Sequence, residues 1–431
     1  MPDRLFIGLD LGTSGCRALA IDAQGGLLAQ AATPLPEPQR DGARAEQEAG
    51  LWWQGVCETL TRLTDQIPAE RVAALAVDGT SGTLLLADAG GEPLGPALMY
   101  NDARSRNAAA HIAAVAPRQS AAHGASSALA KLLHLRPVPP ARHALHQADW
   151  IVGKLTGRWG VSDENNCLKL GFDAEAKRWP DWLDALEVDR SLLPKVVLPG
   201  TPVAPIQHEL ARQLGLPAET LVVAGTTDST AAFMATGARE VGEAVTSLGS
   251  TLVMKVIADR PLFSPAHGVY SQPLGDRWLV GGGSNSGGAV LLHYFSRAQL
   301  AAMTPALNPT QPTGLDYYPL VERGERFPVN DNQLPPRLTP RPDDDVTFFQ
   351  GMLEGMARIE QQGYQLLAEL GAPYPISVRS AGGGSRNPAW TEIRQNLLGV
   401  PLLEADHQEA AYGSALLARR GYGEQILRKG D

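Results

Sequence analysis

The run Leu5-Phe6-Ile7-Gly8-Leu9-Asp10-Leu11-Gly12-Thr13-Ser14-Gly15-Cys16-Arg17 decides the fold. An apolar stretch carries a single acidic residue near its end, and a Gly-Thr-Ser-Gly turn follows. Cys16-Arg17-Ala18-Leu19-Ala20-Ile21 then returns as a second strand, closed by Asp22-Ala23-Gln24-Gly25-Gly26. The pattern predicts a β-hairpin. A hairpin alone explains neither Arg17 nor Asp10, whose carboxylate is costly to bury without a cation or donor. The glycines let backbone amides approach an anion. Thr13 and Ser14 add hydroxyl donors, and Arg17 suits phosphate oxygens.

The spacing Gly8, Gly12, Gly15 is not G-x-G-x-x-G, and a strand rather than a helix follows, so dinucleotide binding does not fit. No G-x-x-x-x-G-K-[ST] occurs in the chain. A turn that takes nucleotide phosphates and Mg²⁺ is the expectation, and with it an ATP-using enzyme.

At 431 residues the chain exceeds one ordinary core, so two domains are expected. The net charge of −9 argues against a nucleic-acid surface and against a polybasic membrane anchor. Cys16, Cys57 and Cys167 are far apart and form no C-x-x-C pair, which suits a reduced cytoplasmic compartment. Asp3 and Arg4 precede only a short apolar strand, so no signal peptide is expected, and no apolar run approaches ~18 residues.

Strands are expected near 4–10, 16–21, 27–32, 72–77 and 83–87, with a helix opening at 48 and others over 104–115, 126–135 and 145–156. Leu221-Val222-Val223-Ala224-Gly225 is a buried-strand pattern that ends in Thr226-Thr227-Asp228-Ser229. The second half restarts with Ala244 to Val256 as strand, Gly249-Ser250-Thr251 turn, strand. This echo of the first hairpin suggests a duplicated domain with ligand between the copies, although coincident hairpin chemistry would look alike. Asp343-Asp344-Asp345 reads as a solvated loop before a long helix over 346–370. Val378 to Pro388 reads as strand, Gly-rich turn and helix start. His143 and His146 are spaced as on one helical face, with no third metal ligand nearby. Gly281 to Gly288 reads as a cleft-facing loop or hinge, or as a plain loop.

Taken in order, these segments resemble the FGGY carbohydrate kinases, a branch of the actin, hexokinase and heat-shock-chaperone superfold. Gly8-Leu9-Asp10-Leu11-Gly12-Thr13-Ser14 is similar to the first phosphate motif, and Tyr100-Asn101-Asp102-Ala103-Arg104 to the W-x-D-x-R segment. Lys131 to Leu135 and Asp149 to Gly157 resemble the middle helices. Ala224-Gly225-Thr226-Thr227-Asp228 resembles the segment of the catalytic base, and Ser247-Leu248-Gly249-Ser250-Thr251 the second phosphate motif. Gly324-Glu325-Arg326-Phe327-Pro328 and Ala381-Gly382-Gly383-Gly384-Ser385-Arg386-Asn387-Pro388 are similar to the G-E-R-x-P and adenosine motifs. The chain is shorter than most members. Tyr100 stands where tryptophan is usual, and Asp78-Gly79-Thr80-Ser81-Gly82-Thr83 replaces larger polar residues beside the substrate. The short form is most similar to ribulokinase- or xylulokinase-like kinases of plants and cyanobacteria.

The resemblance implies an α/β protein of two ribonuclease-H-like domains, 1–238 and 239–431, with an interdomain active-site cleft. It implies transfer of a phosphoryl group from ATP, with Mg²⁺, to a terminal hydroxyl of a free ketopentose, D-ribulose ahead of D-xylulose or another polyol or ketose. The implied partners are that sugar and ATP, in a monomer or homodimer. A non-catalytic nucleotide switch of the actin type is the rival from another class. Asp228 is implied as catalytic base, and it is equally placed to cap a helix at Ser229. Asp10 is implied as the Mg²⁺ residue. Gly12, Thr13, Ser14, Gly15, Arg17, Gly249, Ser250 and Thr251 are implied for the phosphates, and Gly382, Gly383, Gly384 and Asn387 for adenosine. The second hairpin turn and the Gly-rich connection also have ordinary structural readings. Asp78, Ser81, Gly82, Thr83, Asp102 and Asp228 are the candidates for sugar hydroxyls, with Asp78 equally suited to an Asx turn. Ala410 to Ala415 is similar to the small-residue helix at the nucleotide pocket, and small residues also serve helix packing.

Overall fold

The computed structural model describes residues 3–136 and 139–430. It divides into two compact units, Met1–Ala235 with Glu409–Asp431, and Thr236–Gln408. The first boundary falls close to the expected 238. The expected second domain, 239–431, loses its end, because the helix Ala410–Gly430 packs on the first unit's sheet.

That sheet has six strands in the order Pro202–Pro205, Leu221–Thr227, Val72–Gly79, Leu5–Leu11, Gly15–Ile21, Leu27–Pro34. The last three form an antiparallel meander. Val72–Gly79 lies parallel to Leu5–Leu11, and Leu221–Thr227 parallel to Val72–Gly79. Every residue of Leu5–Leu11 is buried, as a continuous apolar run requires when both sheet faces are covered. Leu5, Ile7 and Leu9 pack into the core that holds Trp52, Val56 and Leu60 of the helix Ala49–Thr64. Phe6 points the other way, into the core formed with Ala411, Ala415 and Ala418. Backbone meets backbone there: a Cβ on Gly8 would lie 1.8 Å from the Ala411 carbonyl oxygen. The small residues at 410–415 are therefore used for packing within the first unit.

The second unit repeats the arrangement. Glu243–Leu248, Leu252–Ala258 and Arg277–Ser284 pair antiparallel in turn, with Tyr270–Leu274 on the far edge. Ser377–Ala381 runs parallel to Glu243–Leu248, and Leu402–Glu404 parallel to Ser377–Ala381. Numbered within each unit, the shared strands lie in the order 3-2-1-4-5, so the duplication read from two hairpins is real at the level of topology. Asp344 accepts from the Val346 and Thr347 amides and caps the helix Asp345–Glu369.

Two local expectations need correction. His143–His146 is a strand, not a helix start: it pairs with Leu84–Ala87 in a small second sheet, and the helix begins at Gln147. Gly281 to Ser284 is also strand, so the loop expected there shrinks to the residues after Ser284. Among the described residues no helix is long and apolar enough to cross a membrane.

Candidate active site

Three neighbouring parallel strands of the first unit each deliver an aspartate at the C-terminal end, where ligands of open α/β sheets bind. Asp10 and Asp78 stand opposite each other in Leu5–Leu11 and Val72–Gly79. Asp228 follows directly on Leu221–Thr227. Asp10 is nearly buried and lies opposite Arg17 in the hairpin, with the Arg17 Nη1 3.3 Å from its Oδ2. Asp78 is fully buried, and its Oδ2 accepts from the Ser414 hydroxyl at 2.6 Å. Burial, and then the charges of Asp10 and Asp228, push its carboxyl well above the usual carboxylate range against the pull of Ser414. Asp228 opens the helix Asp228–Ala235, and its Oδ1 accepts from the Ser229 amide at 2.6 Å.

The turn at 12–15 is held by two main-chain bonds, from Gly12 N to Gly15 O at 3.0 Å and from Leu35 N to Ser14 O at 2.9 Å. The Gly12 amide is thus used inside the turn, and Gly12 contributes shape rather than a donor. Thr13 and Gly15 are half-buried, while Ser14 and Arg17 are exposed.

Beside Asp78 the chain turns through Thr80-Ser81-Gly82-Thr83. Gln147 Oε1 accepts from the Thr80 amide at 3.0 Å and from its hydroxyl at 2.7 Å, and the Thr80 and Thr83 hydroxyls are 2.6 Å apart. Thr83 is fully buried and Ser81 half-buried. Two lysines meet this turn: Lys131 Nζ donates to Gly82 O at 2.6 Å, and Lys169 Nζ to Ser81 O at 3.1 Å. Asp102, expected at the sugar, is fully buried. It accepts from the Ala45 amide at 2.7 Å and from Arg104 Nε at 2.9 and 3.0 Å, and Arg104 also meets Glu46. These bonds anchor the connection that carries Arg104.

In the second unit, a cavity of about 600 Å³ gathers Gly249 and Ser250 from the hairpin turn with Gly383, Gly384 and Asn387 from the Gly-rich connection. That volume lies in the range of ordinary cofactor sites. Thr251 and Gly382 are not among the residues that line it. The cavity wall also includes Arg386 of the adenosine-like stretch, and Leu291, Arg297, Phe349 and Trp390, four residues that no sequence motif marks. A Cβ on Gly384 would lie 2.4 Å from the Trp390 ring, so the glycine admits the indole. The Asn387 Oδ1 accepts from the Trp390 amide and caps the helix Pro388–Leu398.

Glu325 of the G-E-R-x-P segment is buried beneath the residues after Ser284. It accepts from the Ser284 hydroxyl at 2.6 Å, the Asn285 amide at 2.7 Å and the Tyr318 hydroxyl at 3.0 Å. Among the described residues, no three His, Cys, Asp or Glu side chains are placed to hold a metal ion. A Mg²⁺ ion carried mainly by phosphates and water needs only one or two protein carboxylates, and Asp10 at its strand end fits that demand. Lys131 and Ser414 lie in stretches that the sequence marks, but nothing in local pattern places them, or Lys169, beside the turn at 80–83 or Asp78, because it does not mark a lysine or serine as buried.

The family model described as FGGY family of carbohydrate kinases, N-terminal domain, matches residues 5–235, and its C-terminal counterpart matches 244–422. The chain is 26% identical to the xylulose kinase of Escherichia coli (strain K12), covering 92% of this chain and 86% of that protein. It is 25% identical to the erythritol kinase of Brucella abortus (strain 2308), covering 97% and 88%. The crystal structure of a xyloylose kinase from Brucella ovis superposes with a TM-score of 0.89 at 25% identity, covering 98% of this chain and 91% of that one.

Proposed function

The chain belongs to the FGGY family of carbohydrate kinases, phosphotransferases with an alcohol group as acceptor, and we propose that its acceptor is a free ketopentose phosphorylated on a terminal hydroxyl. The observation that carries this reading is the row of strand-end aspartates, with Asp228 beside the turn at 80–83. Asp228 accepts the hydroxyl proton as that oxygen bonds to the γ-phosphorus. The bond from that phosphorus to the β–γ bridging oxygen breaks, and ADP leaves with the bridging oxygen. Asp10 would hold Mg²⁺, which when bound would supply charge neutralisation at the phosphates. Thr13, Ser14 and Arg17 support the phosphates. The cavity lined by Gly249, Ser250, Gly383, Gly384 and Asn387 takes the nucleotide. D-Ribulose is one candidate, on the resemblance of this short chain to ribulokinase- or xylulokinase-like kinases. D-Xylulose is the second, on the printed names of relatives at 26% and 28% identity.

The test is ADP release from Mg·ATP against a panel of ketopentoses, aldopentoses and polyols, with Asp228→Asn alongside. Turnover should be confined to a ketopentose and fall by about 10²–10⁴-fold in the variant with KM for ATP unchanged. Near wild-type turnover in Asp228→Asn removes Asp228 as the base. Preference for a polyol removes the ketopentose.

A further inference from the structure

Two lysines in the first unit lie outside the machinery described so far and converge on one turn. Lys131, from the helix Ala128–Leu135, is fully buried, and its amine donates to Gly82 O at 2.6 Å and Ser126 O at 2.8 Å. Lys169, from the short 3₁₀ turn Leu168–Leu170, donates to Ser81 O at 3.1 Å. A Cβ on Gly82 would lie 3.1 Å from Lys169 Cδ, so the lysine stem lies against that residue. Two amines from different elements thus hold consecutive carbonyls. Gly79 pairs with Thr227 at the sheet end, so the turn leaves the sheet beside Asp228.

We propose that Lys131 and Lys169 are positioning residues that clamp the Ser81–Gly82 backbone and so set the acceptor subsite beside Asp228. The inference rests on the acceptor reading above. Its physical basis is cost. Burial pushes the Lys131 amine down to about 7, with Lys169 adding to the effect and Asp102 opposing it. Burial also lowers Lys169, against the pull of Asp228. Placing two amines where charge is disfavoured, on the carbonyls of one short turn, fixes backbone that a β-turn alone leaves free to open. The acceptor's hydroxyls then meet a preformed surface, and less ordering is needed on binding.

The test uses the full chain and two variants, Lys169→Met and Lys169→Arg, with two readouts. Amide hydrogen exchange over residues 79–84 reports the clamp without any substrate. Steady-state kinetics separates acceptor KM, ATP KM and kcat. Lys169→Met should speed exchange in that segment and raise acceptor KM, each by about tenfold, with ATP KM unchanged. Lys169→Arg, which keeps a donor, should recover part of both. Unchanged exchange overturns the clamp, even if KM rises. Faster exchange with unchanged acceptor KM overturns the link to the acceptor, as does a loss confined to kcat. If the wild-type protein turns over none of the panel, the acceptor reading fails by itself, and exchange still decides the clamp.

Discussion

Asp163 shows what one buried carboxyl does to this protein. It closes the short strand Val161–Asp163, accepts from the Asn165 and Asn166 amides at 2.8 and 3.1 Å, and is fully buried near Asp149. Burial and then the Asp149 charge push its carboxyl up from 3.8 to about 7. Between those pH values the folded state keeps a proton that the unfolded chain has lost. Stability therefore falls as pH climbs through that window and is lowest, for this group, above about 7. Asp163→Asn keeps a capping oxygen and removes the titration. Its Tm should exceed wild type by roughly 2 °C or more at pH 8, with the gap closing toward pH 4. Thermal melts across that range check it, and a constant gap refutes it. The strand-end places of Asp10 and Asp228 are readable from sequence, because each acid stands at the end of an apolar run. The burial of Lys131 is not, since in a local pattern a lysine reads as solvent-facing, and the carbonyls of Gly82 and Ser126 that satisfy its amine are set by the fold.

In the second unit, the helices Asp345–Glu369 and Pro388–Leu398 are joined by a buried ion pair. Arg394 donates from Nε to Glu360 Oε2 at 2.6 Å and from Nη2 to Oε1 at 2.7 Å, and its Nη1 reaches the Ser380 hydroxyl at 2.7 Å. Thr246 and Tyr364 extend the network to the sheet. Breaking one side of such a pair strands a charge, so Arg394→Met should cost about 3–5 kcal/mol. The double variant Glu360→Met, Arg394→Met should recover most of that loss, since removing both charges removes the desolvation cost. Urea midpoints of the three proteins decide between this and a simple packing defect, which the double variant would deepen. The opening hairpin and the long helix were legible at this scale because their apolar periods are strong. His143–His146 differs from the helical expectation because a four-residue strand carries too little pattern, and its pairing with Leu84–Ala87 overrides local preference. Arg44–Gln47 went unseen for the same reason, a short, mostly polar strand held by its neighbours.

Two units with the same strand order follow from a repeated motif. The path of the chain between them does not. Nothing in composition tells that Ala410–Gly430 belongs with residues from the start of the chain, because its small residues suit any close contact. The expected second domain ran on to 431 for that reason. A chain ending at Gln408 uncovers Phe6, Leu221 and Val223 of the first unit's core. In that variant, amides of Leu5–Leu11 and Val72–Gly79 should lose most of their exchange protection, while those of Glu243–Leu248 and Ser377–Ala381 keep theirs. Retained protection in the first set would show that the helix is dispensable there. The same feature orders events during synthesis. Ribosomes deliver residues 1–235 first, at about 5–20 residues per second. One face of that sheet then waits, apolar and uncovered, until the last helix emerges. The half made first is thus completed last, and a nascent chain stalled beyond the second unit exposes a surface that chaperones would bind.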